Sequence, residues 1–283
     1  MELIRQAAAM AAWSGERLKE GRRLALVPTM GCLHPGHAAL MARAAQLAEL
    51  VVVSVFVNPM QFGPQEDFDR YPRALEQDCA LASTGGAAAL FAPEAGELYP
   101  PGFKTKVVVG GVSEGLCGAS RPGHFEGVAT VVVKLFNLVR PTVAVFGEKD
   151  FQQLTVIRAL TRDLNFGIEI VGHPIVREAD GLAMSSRNRY LSPPERRSAL
   201  CLSRALREAR QMVAAGLKDC QDILTRLEAQ LVADPLVVID YLAVVSGHDL
   251  APQSRVGRDS VLLLAVRVGQ TRLIDNGYLI RED

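Results

Sequence analysis

The stretch Leu24-Ala-Leu-Val-Pro28 opens the part of the sequence that decides the fold. A glycine-containing turn follows it, then a helical stretch from His37 to Leu50, then a second apolar run, Val51-Val-Val-Ser-Val-Phe-Val57. Strand, helix and strand in this order form a βαβ unit. Both runs are apolar along their length, which is typical of parallel strands buried on both faces. We therefore predict a Rossmann-like α/β fold, a doubly wound parallel sheet.

The rest of the chain extends this sheet and then changes character. After Ser192-Pro-Pro194 the pattern shifts to amphipathic helices rich in Arg, Ala and Leu, followed by strand-like runs. We predict a nucleotide- and substrate-binding domain at 1–176 and a smaller C-terminal α+β domain at 177–283, which forms a lid over the site. The further predicted elements are strands at 88–92, 143–146 and 168–171, a helix at 128–138, helices at 195–215 and 219–233, and strands at 237–245, 261–268 and 271–279.

Composition limits the class of partner. The chain has 283 residues, of which 49% are hydrophobic and 22% charged, as in ordinary soluble globular proteins. Lys plus Arg equals Asp plus Glu at 31 each, so no net positive field exists to collect a nucleic acid. The longest apolar runs are too short to cross a bilayer. The five cysteines are scattered, which favours reduced thiols in a cytoplasmic protein.

The first segment with candidate site residues is Pro28-Thr-Met-Gly-Cys-Leu-His34-Pro-Gly-His37, where the first strand ends and a helix begins. Ligand sites of open α/β sheets collect at such strand ends. A turn entering a helix can aim both imidazoles at one point, while Gly36 lets a phosphate approach the backbone. Free N–H groups at a helix start favour an anion there. The competing interpretation is that the two histidines only cap the helix.

The second segment is Met184-Ser-Ser-Arg-Asn188. Its two hydroxyls, guanidinium and amide are groups that bind phosphates, although Ser-rich loops are also common as plain turns. Together with the earlier His-x-Gly-His segment, it resembles the nucleotidyl-transferase superfamily, which includes the class I aminoacyl-tRNA synthetases. In that superfamily an HIGH-type turn and a KMSKS-type loop close on ATP from opposite sides.

Three further segments carry candidate ligand groups. Lys149, in Gly147-Glu-Lys-Asp150, can stand as a compact charge beside phosphates, or it can belong to a solvated helix start. Gln61 follows the second strand and can bind a hydroxyl-bearing acid, or it can cap that strand. Arg121 and His124 lie in a Gly/Pro-rich loop, which suits a mobile cationic flap or a plain surface loop.

The five segments together resemble the pantoate–β-alanine ligase family from about residue 24 to residue 192. The resemblance implies that pantoate attacks the α-phosphate of ATP, and that β-alanine then displaces AMP from the pantoyl adenylate. It also implies Mg²⁺ as a cofactor, a homodimer, and catalysis by His34, His37, Lys149 and Arg187. The implied ATP site comprises Met30, Gly31, His34, Gly36, His37, Gly147, Glu148, Lys149, Asp150, Val176, Met184, Ser185, Ser186 and Arg187; the implied substrate site comprises Pro28, Thr29, Gln61, Gln153, Arg121 and His124.

The chain departs from the family's commoner forms at Cys32, Gln77 and Thr142. Gln77 stands where an acidic residue often precedes Asp78, which argues against a magnesium site of two carboxylates. Asp78 remains as a single candidate metal ligand, acting directly or through a water molecule. Most of the Mg²⁺ coordination would then come from ATP.

Two alternatives stay open at this point. One is another member of the superfamily, either a nucleotidyltransferase for a phosphorylated acceptor or a truncated aminoacyl-tRNA synthetase; the charge balance argues against the latter. The other is an inactive nucleotide sensor. Pyrophosphate exchange that depends on pantoate would distinguish the ligase from another enzyme of the superfamily. Formation of pantothenate would distinguish it from an inactive sensor.

Overall fold

The structure is a computed structural model that describes residues 1–64 and 66–280. The chain divides into two compact units. The first consists of Met1–Glu148 and Val156–His173, and the second of Lys149–Thr155 and the described part of Pro174–Asp283. None of the helices in the described ranges combines the length and the apolar character that a bilayer span requires.

The first unit is built on a six-stranded sheet whose neighbouring strands all run parallel. The spatial order is β1-β4-β3-β2-β5-β6. This arrangement confirms the doubly wound sheet predicted from the sequence. The strands are β1 (Glu2–Ile4), β2 (Leu24–Thr29), β3 (Leu50–Val55), β4 (Ala89–Phe91), β5 (Val143–Gly147) and β6 (Glu169–His173).

Helices bury both faces of the central strands. Ala25 and Val27 of β2 share a buried cluster with Leu40 and Met41 of the following helix. Leu24 and Leu26 alternate with them and so point to the opposite face, where they are also 0% exposed. This double burial explains the continuous apolar run. The helices before β6 are α1 (Ala7–Lys19), α2 (Pro35–Ala45), α3 (Leu75–Thr84), α4 (Ala95–Leu98), α5 (Cys117–Ser120), α6 (His124–Val139) and α7 (Phe151–Asp163), of which α7 begins in the second unit and continues in the first.

The strand order reverses at β2. The chain runs from β2 to β3 on one side, while β5 pairs with β2 on the other side. Such a reversal leaves a crevice at the carboxyl ends of the strands, because the connections on the two sides diverge. The β2–α2 turn and the segment after β3 lie at this edge of the sheet.

The second unit carries a three-stranded antiparallel sheet, ordered β7-β8-β9, with three helices of its own. Its core includes Leu202, Leu206, Ile223, Leu262 and Leu264, all 2% exposed or less. This confirms the smaller α+β fold. The elements are α8 (Pro193–Ala199), α9 (Cys201–Ala214), α10 (Cys220–Leu231), β7 (Val237–Ser246), β8 (Ser260–Val268) and β9 (Thr271–Tyr278).

The prediction of one helix over 195–215 was wrong. The structure has α8 and α9, which meet at Leu200. The first of them starts at Pro193, because Ser192 and Glu195 form a reciprocal capping box there. The N-terminal β1 and α1 were not predicted at all.

Candidate active site

The β2–α2 turn is held by hydrogen bonds to neighbouring strands. Thr29 Oγ1 donates to the carbonyl of Ser54 at 2.7 Å and accepts from the backbone N–H of Gly31 at 3.1 Å. Gly31 has φ +83°, and a Cβ there would lie 2.8 Å from Val55 Cγ1 and 2.9 Å from Asp78 Oδ2. Both the backbone conformation and the lack of space require glycine at this position.

Asp78, on α3, binds the same turn through both carboxylate oxygens. Oδ2 accepts from the backbone N–H of Cys32 at 3.0 Å, and Oδ1 accepts from that of Leu33 at 2.6 Å. The residue is 1% exposed. Cys32 has φ +51°, an uncommon conformation that these bonds stabilise. Asp78 therefore holds the turn in its shape.

His34 and His37 lie against each other at the start of α2. Their ring centroids are 4.0 Å apart, and His34 is the N-cap residue. The backbone N–H of His34 donates to His37 Nδ1 at 3.2 Å. A nitrogen that accepts carries no proton, so the proton of a neutral His37 ring is on Nε2. The ring thus presents Nε2–H as its donor.

Gln61 lies in the turn Pro59–Gln61, just after β3, and is oriented by Asn58. Asn58 Nδ2 donates to Gln61 Oε1 and to the carbonyl of Gly127, both at 3.0 Å. Asn58 Oδ1 accepts from the backbone N–H of Met60 at 3.2 Å and from the Tyr99 hydroxyl at 2.9 Å. Burial raises the pKa of Tyr99, so that this hydroxyl remains a donor.

Gln61 also contacts the β2–α2 turn. Its Nε2 atom donates to Met30 Sδ at 2.9 Å. The amide that follows β3 and the turn that follows β2 therefore meet at the carboxyl edge of the sheet. The first unit brings together two of the predicted segments in this way.

Arg121 and His124 hold the loop around Gln61. Arg121 donates to Glu66 Oε1 and Oε2 through Nε and Nη2, each at 2.6 Å, and Nη2 also donates to the Gln61 carbonyl at 3.3 Å. His124 Nδ1 lies 2.8 Å from the same carbonyl, and Nε2 lies 3.0 Å from Arg121 Nη1. A carbonyl only accepts and a guanidinium only donates, so Nδ1 carries the proton of a neutral His124.

The start of α6 packs directly on the Pro59–Gln61 turn. A Cβ at Gly127 would lie 2.3 Å from the Met60 carbonyl oxygen and 2.6 Å from Gln61 N. Glycine is required there because any side chain would push the turn away from the helix. The position of Gln61 is therefore set from the side of α6 as well as by Asn58.

In the second unit, Lys149 belongs to the short 3₁₀ turn Glu148–Asp150 that follows β5. Its Nζ lies 4.0 Å from Asp150 Oδ1, and its carbonyl accepts from Asn276 Nδ2 at 2.8 Å. Gln153, one turn later on α7, is half-buried. The predicted residues Gly147 and Glu148 come just before Lys149, at the end of the stretch Met1–Glu148 of the first unit.

The predicted segment Met184–Asn188 begins at the end of a tight hairpin formed by residues 176–184. The backbone N–H of Met184 donates to the carbonyl of Val176 at 2.9 Å, and Arg177 bridges to Ala183. Ser185 then caps the 3₁₀ turn Ser186–Tyr190, its Oγ accepting from the Arg187 N–H at 3.3 Å.

A network of polar and charged side chains braces this hairpin. Arg196 Nη2 lies 2.8 Å from Glu178 Oε2 and 2.7 Å from Asp180 Oδ2, and Asn188 Nδ2 donates to Glu178 Oε1 at 2.5 Å. Burial opposes ionisation of Glu178 and Asp180, but the hydrogen bonds from Arg196 outweigh it, and the pKa of each lies below its usual range. The hairpin is a braced element and not a plain surface loop.

Several residues of these sites were not singled out from the sequence. Asn58, Glu66 and Tyr99 surround Gln61, and Asp275 and Asn276 bind the second-unit segments. Only Asn58 is close in sequence to the residue it orients. The others act across long separations in the chain, which no local pattern reveals.

These features define a doubly wound α/β protein with a polar site at the topological switch point, the class to which many nucleotide-using enzymes belong. The family model described as "Pantoate-beta-alanine ligase" matches residues 2–278. The chain belongs to the pantoate–β-alanine ligase family.

Relatives and solved structures agree over nearly the whole length. A pantothenate synthetase of Heliobacterium modesticaldum is 54% identical over 276 residues, which cover 98% of each chain. The crystal structure of pantothenate synthetase from Thermus thermophilus matches with a TM-score of 0.94 at 47% identity, covering 99% of this chain and 100% of that one. The Francisella tularensis ligase, "Complexed with Beta-gamma ATP and Beta-alanine", matches with a TM-score of 0.81 at 29% identity, covering 99% and 98%.

Proposed function

We propose that the chain condenses pantoate with β-alanine at the expense of ATP, giving pantothenate, AMP and pyrophosphate through a pantoyl adenylate. The observation that carries this proposal is the contact between Gln61 and Met30 at the switch point. Gln61 is the amide that we assign to pantoate, and Met30 belongs to the β2–α2 turn that we assign to ATP. The family match over residues 2–278 and the ATP and β-alanine complex of the Francisella tularensis relative support it.

In the first half-reaction, the pantoate carboxylate attacks the α-phosphorus and pyrophosphate leaves. The enzyme must hold the carboxylate in line and offset the charge that grows on the leaving oxygen. We assign the positioning of pantoate to Gln61 and Gln153, and we propose Pro28, Thr29, Arg121 and His124 as further residues of the substrate site. Arg121 and His124 act there through the Gln61 carbonyl, which both of them contact.

We assign the phosphate contacts to the groups that can donate or carry positive charge: His34, His37, Lys149 and Arg187. The Nε2–H of His37 serves as the hydrogen-bond donor that its tautomer supplies. In the second half-reaction the amine of β-alanine attacks the acyl carbon, and AMP leaves. The nucleotide site is completed by backbone and side chains of Met30, Gly31, Gly36, Gly147, Glu148, Asp150, Val176, Met184, Ser185 and Ser186.

Mg²⁺ enters this proposal as part of the MgATP substrate. Direct ligation by Asp78 does not fit its geometry, because both oxygens already accept from the β2–α2 turn and the residue is 1% exposed. In the described ranges no three His, Cys, Asp or Glu side chains are grouped as metal ligands. Asp78→Asn is expected to raise the KM for MgATP about 10-fold, because an amide cannot accept both N–H bonds, while the effect on the rate of free Mg²⁺ in excess of ATP stays the same as in the wild type. A changed Mg²⁺ requirement at constant KM for MgATP would restore Asp78 as a ligand.

A direct assay tests the proposed reaction. Exchange of labelled pyrophosphate into ATP is expected only when pantoate is present, and net AMP formation only when β-alanine is added. Exchange with a phosphorylated acceptor instead of pantoate would assign the chain to another reaction of the superfamily. ATP binding without any product would identify a sensor.

We also propose that the C-terminal unit acts as a lid and that the chain functions as a cytoplasmic homodimer through its larger domain. Support for a dimer comes from the segment 104–110, which is neither helix nor strand and in which the apolar side chain of Val108 is 72% exposed. Support for the cytoplasm comes from the five cysteines, all of which are thiols in the structure. Sedimentation of the wild type as a monomer at micromolar concentration would end the dimer proposal.

A further inference from the structure

Two consecutive residues of β9 bind the two second-unit segments to which we assign ATP contacts. Asn276 Nδ2 donates to the carbonyl of Lys149 at 2.8 Å. Asp275 accepts two hydrogen bonds from Arg177, Nη1 to Oδ2 at 2.7 Å and Nη2 to Oδ1 at 3.0 Å. Arg177 opens the hairpin that leads to Met184–Arg187. One strand therefore anchors both segments.

These two anchors are coupled to each other. Asp275 Oδ1 also accepts from the backbone N–H of Asn276 at 2.9 Å, and the two residues are 2% and 5% exposed. Burial raises the pKa of Asp275, and the hydrogen bonds and charge of Arg177 oppose that rise. Because a buried charged or polar group is costly unless it is bonded, neither side chain can leave its partner without a penalty.

Arg177 is fixed at its other side as well. Its Nη1 atom donates to the carbonyl of Gly181, across the hairpin, at 3.1 Å. The guanidinium thus links the turn of the hairpin to β9. A shift of β9 would move the hairpin with it, because the bidentate Arg177–Asp275 pair resists rotation better than a single hydrogen bond.

We propose that Asp275 and Asn276 are positioning residues that set Lys149 and the hairpin 176–184 at a fixed separation for the reaction. The inference rests on the proposed function, because it takes Lys149 and Arg187 as contacts of the phosphates. Lys149 reaches its target on a flexible four-carbon stem, so the place of its backbone decides where its charge can go. Small displacements of such a group reduce the rate steeply.

Asn276→Asp is the sharpest variant, since it keeps the shape of the side chain but leaves no N–H to donate to the Lys149 carbonyl. Asn276→Leu removes the donor without adding charge. Both are expected to lower kcat for pantoate-dependent pyrophosphate release about 10-fold or more, with the KM for pantoate nearly unchanged. The control is Leu273→Val on the same strand, which loosens the unit's core and should retain kcat. Wild-type kcat in both Asn276 variants, or an equal loss in Leu273→Val, would overturn the proposal.

Double variants separate positioning from plain stabilisation. If Asn276 acts through Lys149, adding Asn276→Leu to Lys149→Ala should change kcat less than about 2-fold, because the group it places is already gone. In the same way, Asp275→Asn should lower kcat little further in an Arg187→Ala background. In a Lys149→Ala background, the fold-losses in kcat of the two substitutions should multiply. Multiplicative effects in all combinations would indicate a purely structural role and refute the proposal.

A readout without catalysis keeps this inference separate from the proposed function. Backbone amide hydrogen exchange in 147–151 should be faster in Asn276→Leu than in Leu273→Val, with ATP absent. If the wild type releases no pyrophosphate with pantoate but this difference is seen, the proposed function fails and the anchoring stands. Equal exchange in the two variants would refute the anchoring whatever the activity.

Discussion

At His37, one backbone hydrogen bond decides which ring nitrogen can donate to a ligand. The His34 N–H occupies Nδ1, so Nε2–H is the donor. His37→Asn keeps an acceptor near the position of Nδ1 but loses the Nε2 donor, and we expect turnover to fall about 100-fold or more with the fold intact. Pantoate-dependent pyrophosphate release measures this loss.

His37→Gln is the matched variant, because its amide can place a donor near the position of Nε2. It should retain clearly more activity than His37→Asn if hydrogen-bond donation is the role. Equal and severe losses in both would instead favour proton transfer, and near-normal turnover in His37→Asn would remove His37 from the mechanism.

The Glu66–Arg121 pair should make the loop around Gln61 sensitive to acid. Burial opposes ionisation of Glu66, but the hydrogen bonds and charge of Arg121 outweigh it, and the pKa lies below the ordinary value of 4.5. A lowered folded pKa means that the contribution to stability is present above 4.5 and is lost as pH falls through the folded value. Glu66→Gln should therefore cost about 1–2 kcal/mol of unfolding free energy at pH 7.

The same variant should differ less from wild type as the solution is acidified below pH 4.5, because wild-type Glu66 then loses its charge as well. Thermal melting at a series of pH values provides the test. A wild-type–variant difference that is constant with pH would show that the pair does not titrate as the structure implies. Glu126→Gln is a control at a more exposed ion pair, with Lys106.

The sequence predicted the chemistry of single residues better than their partners. The Gly/Pro-rich context of Arg121 and His124 predicted a mobile cationic flap or a plain surface loop, and the family resemblance implied that both belong to the substrate site. The structure places both on the Gln61 carbonyl and joins Arg121 to Glu66. A pair separated by 55 positions forms only in the folded chain, so local patterns could not reveal it.

Among the elements, the hairpin 176–184 depends on Arg196 for its shape. Arg196→Ala removes the bonds to Glu178 and Asp180, and it should raise the KM for ATP several-fold with a smaller effect on kcat. The free energy of unfolding should fall by about 1 kcal/mol or less, because the pair is partly exposed. Arg197→Ala, at an exposed neighbour on α8, is the control. An unchanged KM for ATP would separate the hairpin from nucleotide binding.

Elements with a strong local signal were predicted well, whereas others depended on distant contacts. The runs that became β2, β3 and β5 are apolar enough to identify without their partners. By contrast, β1 has only three residues and exists because Glu2–Ile4 pair with Ala89–Phe91. The break between α8 and α9 at Leu200 has no Gly or Pro to mark it, since both flanking sequences favour helix.

For the whole molecule, the order of elements sufficed to predict the parallel sheet and the smaller α+β unit. A right-handed βαβ connection leaves few topologies for alternating strands and helices. The two compact units, however, are not continuous in sequence. Lys149–Thr155 groups with the second unit, while Val156–His173 groups with the first. Sequence patterns locate turns and composition shifts, and a short segment inside a helix-forming run carries neither signal.

Ligands that bind only the folded chain should stabilise it according to their saturation. At a free ligand concentration of 100 times the dissociation constant, the free energy of unfolding rises by about 2.7 kcal/mol. For units of this size, that raises the melting temperature by about 5 °C or more. We expect MgATP and pantoate added together, without β-alanine, to exceed the shift given by either alone, because the adenylate formed from them combines the groups by which each substrate is proposed to bind. Adding β-alanine should then reduce the shift as the adenylate is consumed. A phosphorylated acceptor that gives the larger shift with MgATP would contradict the assignment of Gln61 to a carboxylic acid substrate, because that amide offers no charge to pair with a phosphate.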